Sequence, residues 1–326
     1  MRLLKFFYRF ILEFFSELNF NLGKSYRKTV SVFLFHEVSN VPSKFSIENR
    51  LNVDFDTFKT QINWIQKRFN IIHPSMLLNS DFIPDRSAII SFDDGMLSVF
   101  DHALPYLKDN NIPSVMFLNM GHIENSTPLI SAEVIFLNKV NDNLTKFIQE
   151  KKIAHPVFLN ISPEQLAEFK SAQEFHNIEQ INTYQGLLAD IVTIKKWNDS
   201  KIIVYGNHLY EHWNSTALSE KEFVKNVTNN SESLSELSNS INFFAFPNGQ
   251  PLSCFTKEHV KLLHNLGLDR IFYSSGGINS DKNDLLMNRI ALFAEDNSPY
   301  KLFRRFRSNS SSRLTPTEIR FNLGEE

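Results

Sequence analysis

The sequence predicts an α/β protein built as a (β/α) barrel, and two observations lead to this fold class. Short apolar runs recur along the chain without the alternation of half-buried strands, which is typical of parallel strands buried on both faces. Most of these runs are followed by a segment with helical periodicity, and this succession extends from residue 30 to residue 292.

The predicted strands are the apolar runs themselves. The first of them, VSVFLFH, is apolar almost throughout, and the later runs are bounded by polar residues, Gly or Pro. We predict strands at residues 30–36, 71–73, 87–92, 113–119, 202–206, 241–247, 270–275 and 288–292.

The predicted helices have cap signals and one apolar face. Asp54 precedes a helix whose Phe and Ile residues share one side, and Ser219 with Glu222 forms a capping box before a long polar helix. We predict helices at residues 55–69, 98–110, 219–238 and 255–266.

The composition is that of a globular protein, since 42% of the 326 residues are hydrophobic and 21% are charged. The net charge of -2 gives no reason to expect a nucleic-acid partner. The single cysteine, Cys254, excludes an intrachain disulfide framework and a cysteine-rich zinc site.

Residues 1–28 are predicted to form a separate amphipathic N-terminal helix. Charged residues interrupt MRLLKFFYRFILEFFSELNF every three or four positions, so no apolar run approaches the ~18 residues of a membrane span. The broad apolar face either contacts a membrane peripherally through residues 1–20 or packs on protein, and the pattern leaves both alternatives open. Because the segment also lacks the features of a secretory signal, we expect a cytoplasmic protein, peripheral at the inner membrane face in the first alternative.

Two further segments depart from the succession of strands and helices. Residues 126–196 are polar and mostly helical in pattern, and we interpret them as an insertion in the barrel. It forms either a lid or substrate wall, or a bulky loop that only packs. Residues 296–326 begin with the basic and aromatic YKLFRRFR and then become polar. We expect a solvated C-terminal tail there, with a membrane-surface contact as the alternative.

Two aspartates, Asp93 and Asp94, directly follow the predicted strand SAIISF. Barrel active sites are built at the carboxyl ends of the strands, and Gly95 allows the chain to turn sharply at this end. Adjacent carboxylates repel each other and lose hydration on burial, so a bound cation would compensate them. The ordinary alternative is that one aspartate caps the next helix and the other is solvated.

A histidine pair follows another predicted strand, in IIVYGNHLYEHWN. On a helical turn the i, i+4 spacing of His208 and His212 places both imidazoles on one side, as in zinc motifs. Two histidines and one carboxylate leave a coordination position for water, which is typical of a catalytic metal site. By itself the pair fits two surface histidines equally well.

A third strand end, FFAFPNGQP, carries Pro247, Asn248 and Gly249. A turn there would expose backbone N–H groups that hold the oxyanion of a tetrahedral intermediate. A simple β-turn also explains these residues. We predict a substrate or oxyanion role for the turn.

Together these motifs resemble those of the polysaccharide deacetylases, the NodB-homology domain of carbohydrate esterase family 4. SFDDG matches the first motif of that family, HLYEH the second and FAFPNG the third, and LFHEVS, LDRIFYSSGG and NRI are similar to other strands of the family. The resemblance covers residues 29–125 and 197–295 and implies a distorted (β/α)7 barrel. It also implies that Asp93 is the general base and that Asp94, His208 and His212 bind Zn²⁺ or another divalent metal.

The sequence departs from the family pattern at three places. Leu209 stands where the second motif normally has Ser or Thr, and Ala245 and Phe246 stand where the third often has an arginine that orients the base. The family's general-acid histidine has no clear counterpart near the end of the domain. We interpret Arg289 as the replacement for the missing charge and His36, at the end of the first strand, as the candidate acid.

The resemblance implies hydrolytic removal of an N-acetyl group from an aminosugar in a bacterial surface glycan or its intermediate. A metal-activated water would attack the amide carbonyl while the aspartate base takes its proton. Two alternatives stay open here, a deformylase of a lipid-linked aminosugar and a glycan-binding barrel without turnover. The expected partner is an N-acetylated sugar or glycan, and no nucleic acid is expected.

Overall fold

The structure is a computed structural model that describes Ile11, residues 28–79, 82–172 and 178–309, and Glu318 with Ile319. The predicted amphipathic helix of residues 1–28 therefore lies almost entirely outside the described residues. None of the described helices combines the length and the hydrophobicity that a membrane crossing requires.

Ten strands are found in the described part of the chain. In chain order they are β1 (Val30–Phe35), β2 (Glu37–Val38), β3 (Asn52–Val53), β4 (Asn70–Ile71), β5 (Ser87–Asp93), β6 (Ser114–Leu118), β7 (Ile203–Asn207), β8 (Ser240–Ala245), β9 (Arg270–Tyr273) and β10 (Leu286–Ala291). All eight predicted strands are present, and only the short β2 and β3 were not predicted.

Seven of these strands form a closed parallel barrel, which confirms the predicted fold class. The neighbours run β1-β10-β9-β8-β7-β6-β5, and β1 pairs again with β5, so the ring has no free edge. The short β4 adds to the beginning of β5, and β2 pairs with β3 in a separate two-stranded sheet. Because all pairings are parallel, the carboxyl ends of the seven strands meet at one end of the barrel.

Alternate residues of each strand pack on opposite sides of the barrel wall. On β1, Val30 and Val32 belong to a cluster that draws residues from all seven barrel strands and fills the interior. Phe33 and Phe35 belong to a second cluster, which includes the buried side of the helix that follows Asp54. Both faces of the strands are therefore apolar, which explains the runs without alternation.

The described helices surround this barrel. In chain order they are α1 (Lys44–Asn49), α2 (Phe55–Gln66), α3 (Met76–Asn79), α4 (Leu104–Asp109), α5 (Met120–Asn125), α6 (Ile130–Val140), α7 (Asp142–Glu150), α8 (Val157–Asn160), α9 (Pro163–Ser171), α10 (Ile178–Gln185), α11 (Ile191–Lys195), α12 (Glu220–Leu234), α13 (Lys257–Asn265) and α14 (Pro299–Asn309). The predicted helix at 98–110 begins as a π-helical turn, Val99–Ala103, before it continues as α4.

The capping signals in the sequence are realised. The carboxylate of Asp54 accepts from the N–H of Thr57 at 2.9 Å, at the start of α2. Ser219 and Glu222 form the predicted capping box of α12. Local hydrogen bonds of this kind depend on a few neighbouring residues, so they can be predicted from the sequence without knowledge of the fold.

The predicted insertion, residues 126–196, is mostly helical, and its described part contains α6 to α11. It has its own apolar contacts, such as Phe147 with Phe169 at 5.5 Å between ring centroids. Its helix α6 also packs on α1 through the cluster of Phe45, Leu129 and Ala132. The insertion is thus attached to the rim of the barrel.

The expectation of a solvated C-terminal tail is wrong for its first part. The segment forms α14, and Leu302, Phe303 and Phe306 are buried at helical spacing. The Phe306 ring lies 5.2 Å from that of Phe69 and therefore packs against the barrel beside α2. The aromatic residues form the buried face of the helix, and the basic residues lie mostly on its exposed side.

Candidate active site

The candidate site lies on the inner side of the barrel at the carboxyl ends of its strands. The interior face is marked on four strands by Val32, Ile89, Val204 and Met287. Side chains alternate with a period of two along a strand, so later residues in steps of two point the same way. Four of the predicted site residues lie two or four positions after these interior residues: His36, Asp93, His208 and Arg289. All four line one cavity, together with Asp94 and His212.

Asp93 and Arg289 form a buried two-point ion pair. The guanidinium donates from Nη1 to Oδ1 at 2.6 Å and from Nη2 to Oδ2 at 2.8 Å. Its third nitrogen, Nε, donates to the hydroxyl of Ser274 at 3.1 Å. Arg289 is 1% exposed, and its guanidinium carbon lies 5.5 Å from the centre of the Phe117 ring. The arginine is therefore held on three sides, and its charge is directed at Asp93.

This ion pair keeps Asp93 ionised. Burial by itself raises the pKa of a carboxyl group, but the charge and hydrogen bonds of Arg289, together with the nearby His208 and His36, outweigh this effect and leave the pKa of Asp93 below its ordinary value. The first of the two adjacent carboxylates is thus compensated by a side chain from β10, rather than by a bound cation.

Asp94 differs from Asp93 in its surroundings. Its Oδ1 lies 3.5 Å from Nε2 of His208 and 3.3 Å from Nε2 of His212. This oxygen is buried and has no hydrogen-bond partner among the described residues. Asp94 and the two histidines are the described group whose ligand atoms, all within 4.8 Å of one another, could hold a metal ion.

The chemistry of this group fits a divalent cation. Zn²⁺ binds imidazole nitrogen and carboxylate oxygen at ~2.0–2.2 Å in a tetrahedron, which places ligand atoms roughly 3.3–3.6 Å apart. The two nitrogen-to-oxygen distances of 3.5 and 3.3 Å lie in that range. A cation would also satisfy the buried oxygen, which in the protein alone faces two ring nitrogens.

The tautomer of His208 leaves its Nε2 free for a metal. Its Nδ1–H donates to the main-chain carbonyl of Ala245 on β8 at 2.7 Å. The neutral ring then has its lone pair on Nε2, which points at the Asp94 carboxylate. A backbone partner from a neighbouring strand therefore orients this candidate ligand.

The predicted helical turn between His208 and His212 is wrong. Both residues lie in an irregular loop after β7, and Leu209 has φ 65°, a left-handed conformation that no α-helix contains. The imidazoles are nevertheless neighbours, with ring centroids 5.0 Å apart. The loop brings them together through its own shape rather than through helical periodicity.

Buried asparagine side chains hold this loop in place. Asn119, after β6, donates from its amide to the carbonyl of Leu209 at 3.0 Å. Asn207 accepts from the N–H of Leu209 at 2.9 Å, and its own position is set by the amide of Asn230 on α12 at 2.9 Å. Because these contacts bracket Leu209, they stabilise a backbone conformation that is unfavourable for a branched residue.

The turn after Asp93 uses the same kind of conformation. Asp94 and Gly95 have φ 72° and 75°, so the chain reverses directly after the strand. A Cβ atom at Gly95 would lie 2.8 Å from the Leu118 side chain. The glycine at this position is therefore required both by the backbone angle and by the space available.

His36 lies where the sequence analysis placed it, at the mouth of the same cavity. Its Nε2 is 3.9 Å from Oδ2 of Asp93, and its side chain is 21% exposed. Burial lowers the pKa of His36, although the nearby Asp94 and Asp93 charges oppose this effect, so the ring is neutral at pH 7.

The turn at residues 247–249 offers fewer free backbone N–H groups than predicted. The N–H of Gly249 donates to the carbonyl of Pro247 at 2.7 Å, inside the turn. Asn248, with φ 61°, is exposed and lines the cavity. Of the three predicted residues, Asn248 is the one that lines the cavity.

The cavity has a volume of about 270 Å³, and apolar side chains contribute to its lining beside the polar residues of the site. The insertion supplies Ser131, Ile135 and Phe158 to its lining, while Phe45 comes from α1 and Phe293 follows β10. Residues 126–196 therefore contribute side chains to the lining of this cavity.

Three residues near the site were missed by the sequence analysis. Ser131 lies 3.3 Å from Nδ1 of His212, and His122 accepts the main-chain N–H of His212 at 3.1 Å. Ser274 holds Arg289. Burial lowers the pKa of His122 to about 3, so this ring is neutral. Phe272 on β9 points into the barrel, and Ser274, two residues later, could therefore have been expected to point the same way. The sequence has no such signal for Ser131 or His122.

Several solved structures resemble this fold. IcaB from Ammonifex degensii aligns with a TM-score of 0.57 and 17% identity over 85% of this chain and 97% of that chain. The deacetylase PplD of Streptococcus pyogenes, solved in complex with acetate, aligns with a TM-score of 0.53 and 15% identity over 85% and 98%. A de-N-acetylase from Aggregatibacter actinomycetemcomitans gives 0.53 and 12% over 82% and 96%. At these identities the likeness shows a shared fold.

A comparison with curated proteins gives no significant match. The family model described as polysaccharide deacetylase, by contrast, matches residues 83–271, which is more than half of the chain. This match includes the strand end with the two aspartates, the histidine loop and the Pro-Asn-Gly turn. The chain therefore belongs to the polysaccharide deacetylase family.

Proposed function

We propose that the protein is a metal-dependent hydrolase that removes an N-acetyl group from an aminosugar in a bacterial surface glycan or its intermediate. The observation that carries this proposal is that the two adjacent aspartates have different contacts. Asp93 is paired with Arg289, whereas Asp94 faces two histidines with an unsatisfied oxygen. One carboxylate is available as a base and the other as a metal ligand.

Asp94, His208 and His212 would hold the cation, and Zn²⁺ suits this set of ligands. When bound, such a cation polarises an acyl carbonyl and lowers the pKa of a water molecule to about 7. The remaining steps belong to the side chains of the protein.

Asp93 is assigned as the general base. Its carboxylate oxygen Oδ2 lies 3.8 Å from Nε2 of His208, which places it beside the metal ligands without joining them. A water between Asp93 and the carbonyl carbon would give its proton to this oxygen as it attacks. Arg289 keeps the carboxylate ionised and fixes its orientation before the reaction.

His36 is assigned as the group that protonates the departing amine. It stands 3.9 Å from the carboxylate of Asp93, at the open side of the cavity. A proton taken up by Asp93 can pass through one bridging water to the neutral imidazole and from there to the sugar nitrogen, so that an amine and acetate leave. The N–H of Asn248 is the proposed donor to the developing oxyanion.

The cavity supports a small sugar unit as the reacting group. Its volume of about 270 Å³ lies near the lower end of small-molecule sites, which span about 300–1,000 Å³. Aromatic side chains of Phe45, Phe158 and Phe293 line it and offer apolar surfaces to a sugar ring and an acyl methyl group.

The proposal is tested by acyl release from a panel of sugar nucleotides and lipid-linked aminosugars, each N-acetylated or N-formylated, with and without a chelator. We expect acetate release that the chelator stops. Formate release alone would replace the proposal with the deformylase. Glycan binding without release of either acid would replace it with a binding barrel, although the Arg289–Asp93 pair supports an active base.

A further inference from the structure

The candidate ligand His212 is held from two sides by residues near the start of the insertion. Its main-chain N–H donates to Nε2 of His122 at 3.1 Å. Its ring nitrogen Nδ1 lies 3.3 Å from the hydroxyl oxygen of Ser131, in the first turn of α6. His122 and Ser131 are 3% and 5% exposed, so water competes little for these hydrogen bonds.

The direction of the His122 hydrogen bonds follows from the contacts, and that of the bond between His212 and Ser131 follows from a metal at Nε2 of His212. Because Nε2 of His122 accepts an N–H, its proton resides on Nδ1, which donates to the Thr127 hydroxyl at 2.9 Å. For His212, Nε2 is the atom that faces the Asp94 carboxylate, at 3.3 Å. A metal bound at Nε2 would use the lone pair of that nitrogen, so the ring proton would reside on Nδ1 and be donated to the Ser131 hydroxyl.

The two histidines obtain this orientation from different parts of the molecule. His208 directly follows a barrel strand, and the carbonyl of Ala245 on the neighbouring strand accepts its Nδ1–H. His212 lies four residues further along an irregular loop, and the hydroxyl of Ser131 takes the corresponding place. The barrel thus orients one ligand, and the insertion orients the other.

We propose that Ser131 is a positioning residue of the metal centre and that the insertion completes the site through it, with His122 supporting the loop. This inference rests on the metal centre proposed above. Loss of an outer hydrogen-bond partner of a metal-bound histidine typically weakens metal binding by about 10–100-fold. The same loss is expected for Ser131→Ala, because His212 would then be free to rotate or to change tautomer.

The test uses the full-length protein and two readouts that do not depend on substrate. Zn²⁺ affinity is measured by competition with a chromogenic chelator, and the visible absorption spectrum of the Co²⁺-loaded protein reports the geometry of the ligands. We expect Ser131→Ala to bind Zn²⁺ about 10–100-fold more weakly and to change the Co²⁺ spectrum. Ser131→Thr, which keeps the hydroxyl, should restore both.

A matched control is available in the same insertion. Ser162 caps α9 and contacts no candidate ligand, so Ser162→Ala should lower the melting temperature and leave Zn²⁺ affinity unchanged. If Ser131→Ala destabilises the metal-free protein more than Ser162→Ala does, His122→Leu provides a second test of the same loop and should also weaken Zn²⁺ binding.

Equal Zn²⁺ affinity and an unchanged Co²⁺ spectrum in Ser131→Ala would overturn the positioning role while leaving the metal centre intact. A parent protein that binds no Zn²⁺ would overturn the metal centre itself. The two failures are therefore distinguishable.

Discussion

Asp93 and Asp94 are adjacent in the sequence but differ in their electrostatic partners. Asp93 ends β5 and receives two hydrogen bonds from Arg289, whereas Asp94 has φ 72° and turns toward the histidine loop. The reversal of the backbone separates the two carboxylates, so Asp93 meets a guanidinium and Asp94 meets two imidazoles. This separation is what makes two distinct roles possible for neighbouring residues.

The first prediction concerns the base. Asp93→Asn should lower acetate release by about 10²–10⁴-fold, because an amide cannot accept the proton of the attacking water. Stoichiometric Zn²⁺ should be retained, and Asp94→Asn is the matched control that should lose it. An Asp93→Asn protein that keeps the parental rate would show that the base lies elsewhere.

The second prediction concerns the ion pair. Arg289→Met should lower the free energy of unfolding by about 3–5 kcal/mol, because it leaves the Asp93 carboxylate buried without a partner. The double variant Asp93→Asn with Arg289→Met should be less destabilised than the sum of the two single variants. Chemical denaturation measures all three, and additive losses would contradict direct coupling.

At the scale of elements, amphipathic segments depend on which surface they meet. The helix α14 has the basic and aromatic pattern of a surface-binding segment, but Phe306 packs against Phe69 and Trp64, with ring centroids 5.2 and 6.2 Å away. Its apolar residues are buried against the rest of the protein. Periodicity identifies the apolar face of such a helix, while its partner is decided by the tertiary structure.

Packing of α14 predicts a large effect of truncating Phe306. Phe306→Ala should lower the free energy of unfolding by about 3–5 kcal/mol, since it removes a buried aromatic ring and leaves a cavity. Arg304→Ala, on the exposed side of the same helix, should change it by less than about 0.5 kcal/mol. Similar denaturation midpoints for the two variants would mean that α14 does not pack as described.

The N-terminal segment carries a separate prediction. Residues 1–20 combine a broad apolar face with basic residues in the first half, and their deletion should release the protein from membranes. Fractionation of cells that express the full-length and the shortened chain measures this release. Unchanged fractionation would favour the alternative in which this helix packs on protein.

At the scale of the whole molecule, barrel closure assembles the site. β1 lies between β5 and β10 and pairs with both, and this closure brings His36 and Arg289 to Asp93 although residues 93 and 289 are 196 positions apart. The histidine loop enters from the opposite direction of the ring, after β7. The insertion then covers one side of the cavity and reaches His212 through Ser131.

Metal removal is predicted to affect both activity and stability. A chelator should abolish acyl release and lower the melting temperature, because a ligand that binds only the folded state stabilises it by about 2.7 kcal/mol at 100 times its Kd. Addition of Zn²⁺ should restore both. Full acyl release in the presence of excess chelator would rule out the metal-dependent mechanism.

Much of the fold could be predicted from the sequence because strands and helix caps depend on short-range sequence patterns. The strand runs, the cap at Asp54 and the capping box at Ser219 each involve residues within a few positions of one another. The helical turn predicted for the histidine pair was wrong because Leu209 is held in a left-handed conformation by Asn119 and Asn207. Asn119 is some 90 positions away, and no local pattern reports such a contact.

The sequence by itself determined the barrel class and the strand ends that carry the polar residues, since apolar runs and cap signals act locally. It also selected Asp93, Asp94, His208, His212 and Arg289 as candidates. Only the tertiary structure decided how they are paired: Arg289 with Asp93, and Asp94 with the histidines. It alone brought Ser131 to His212, because contacts between segments of the chain so far apart depend on barrel closure and on the packing of the insertion.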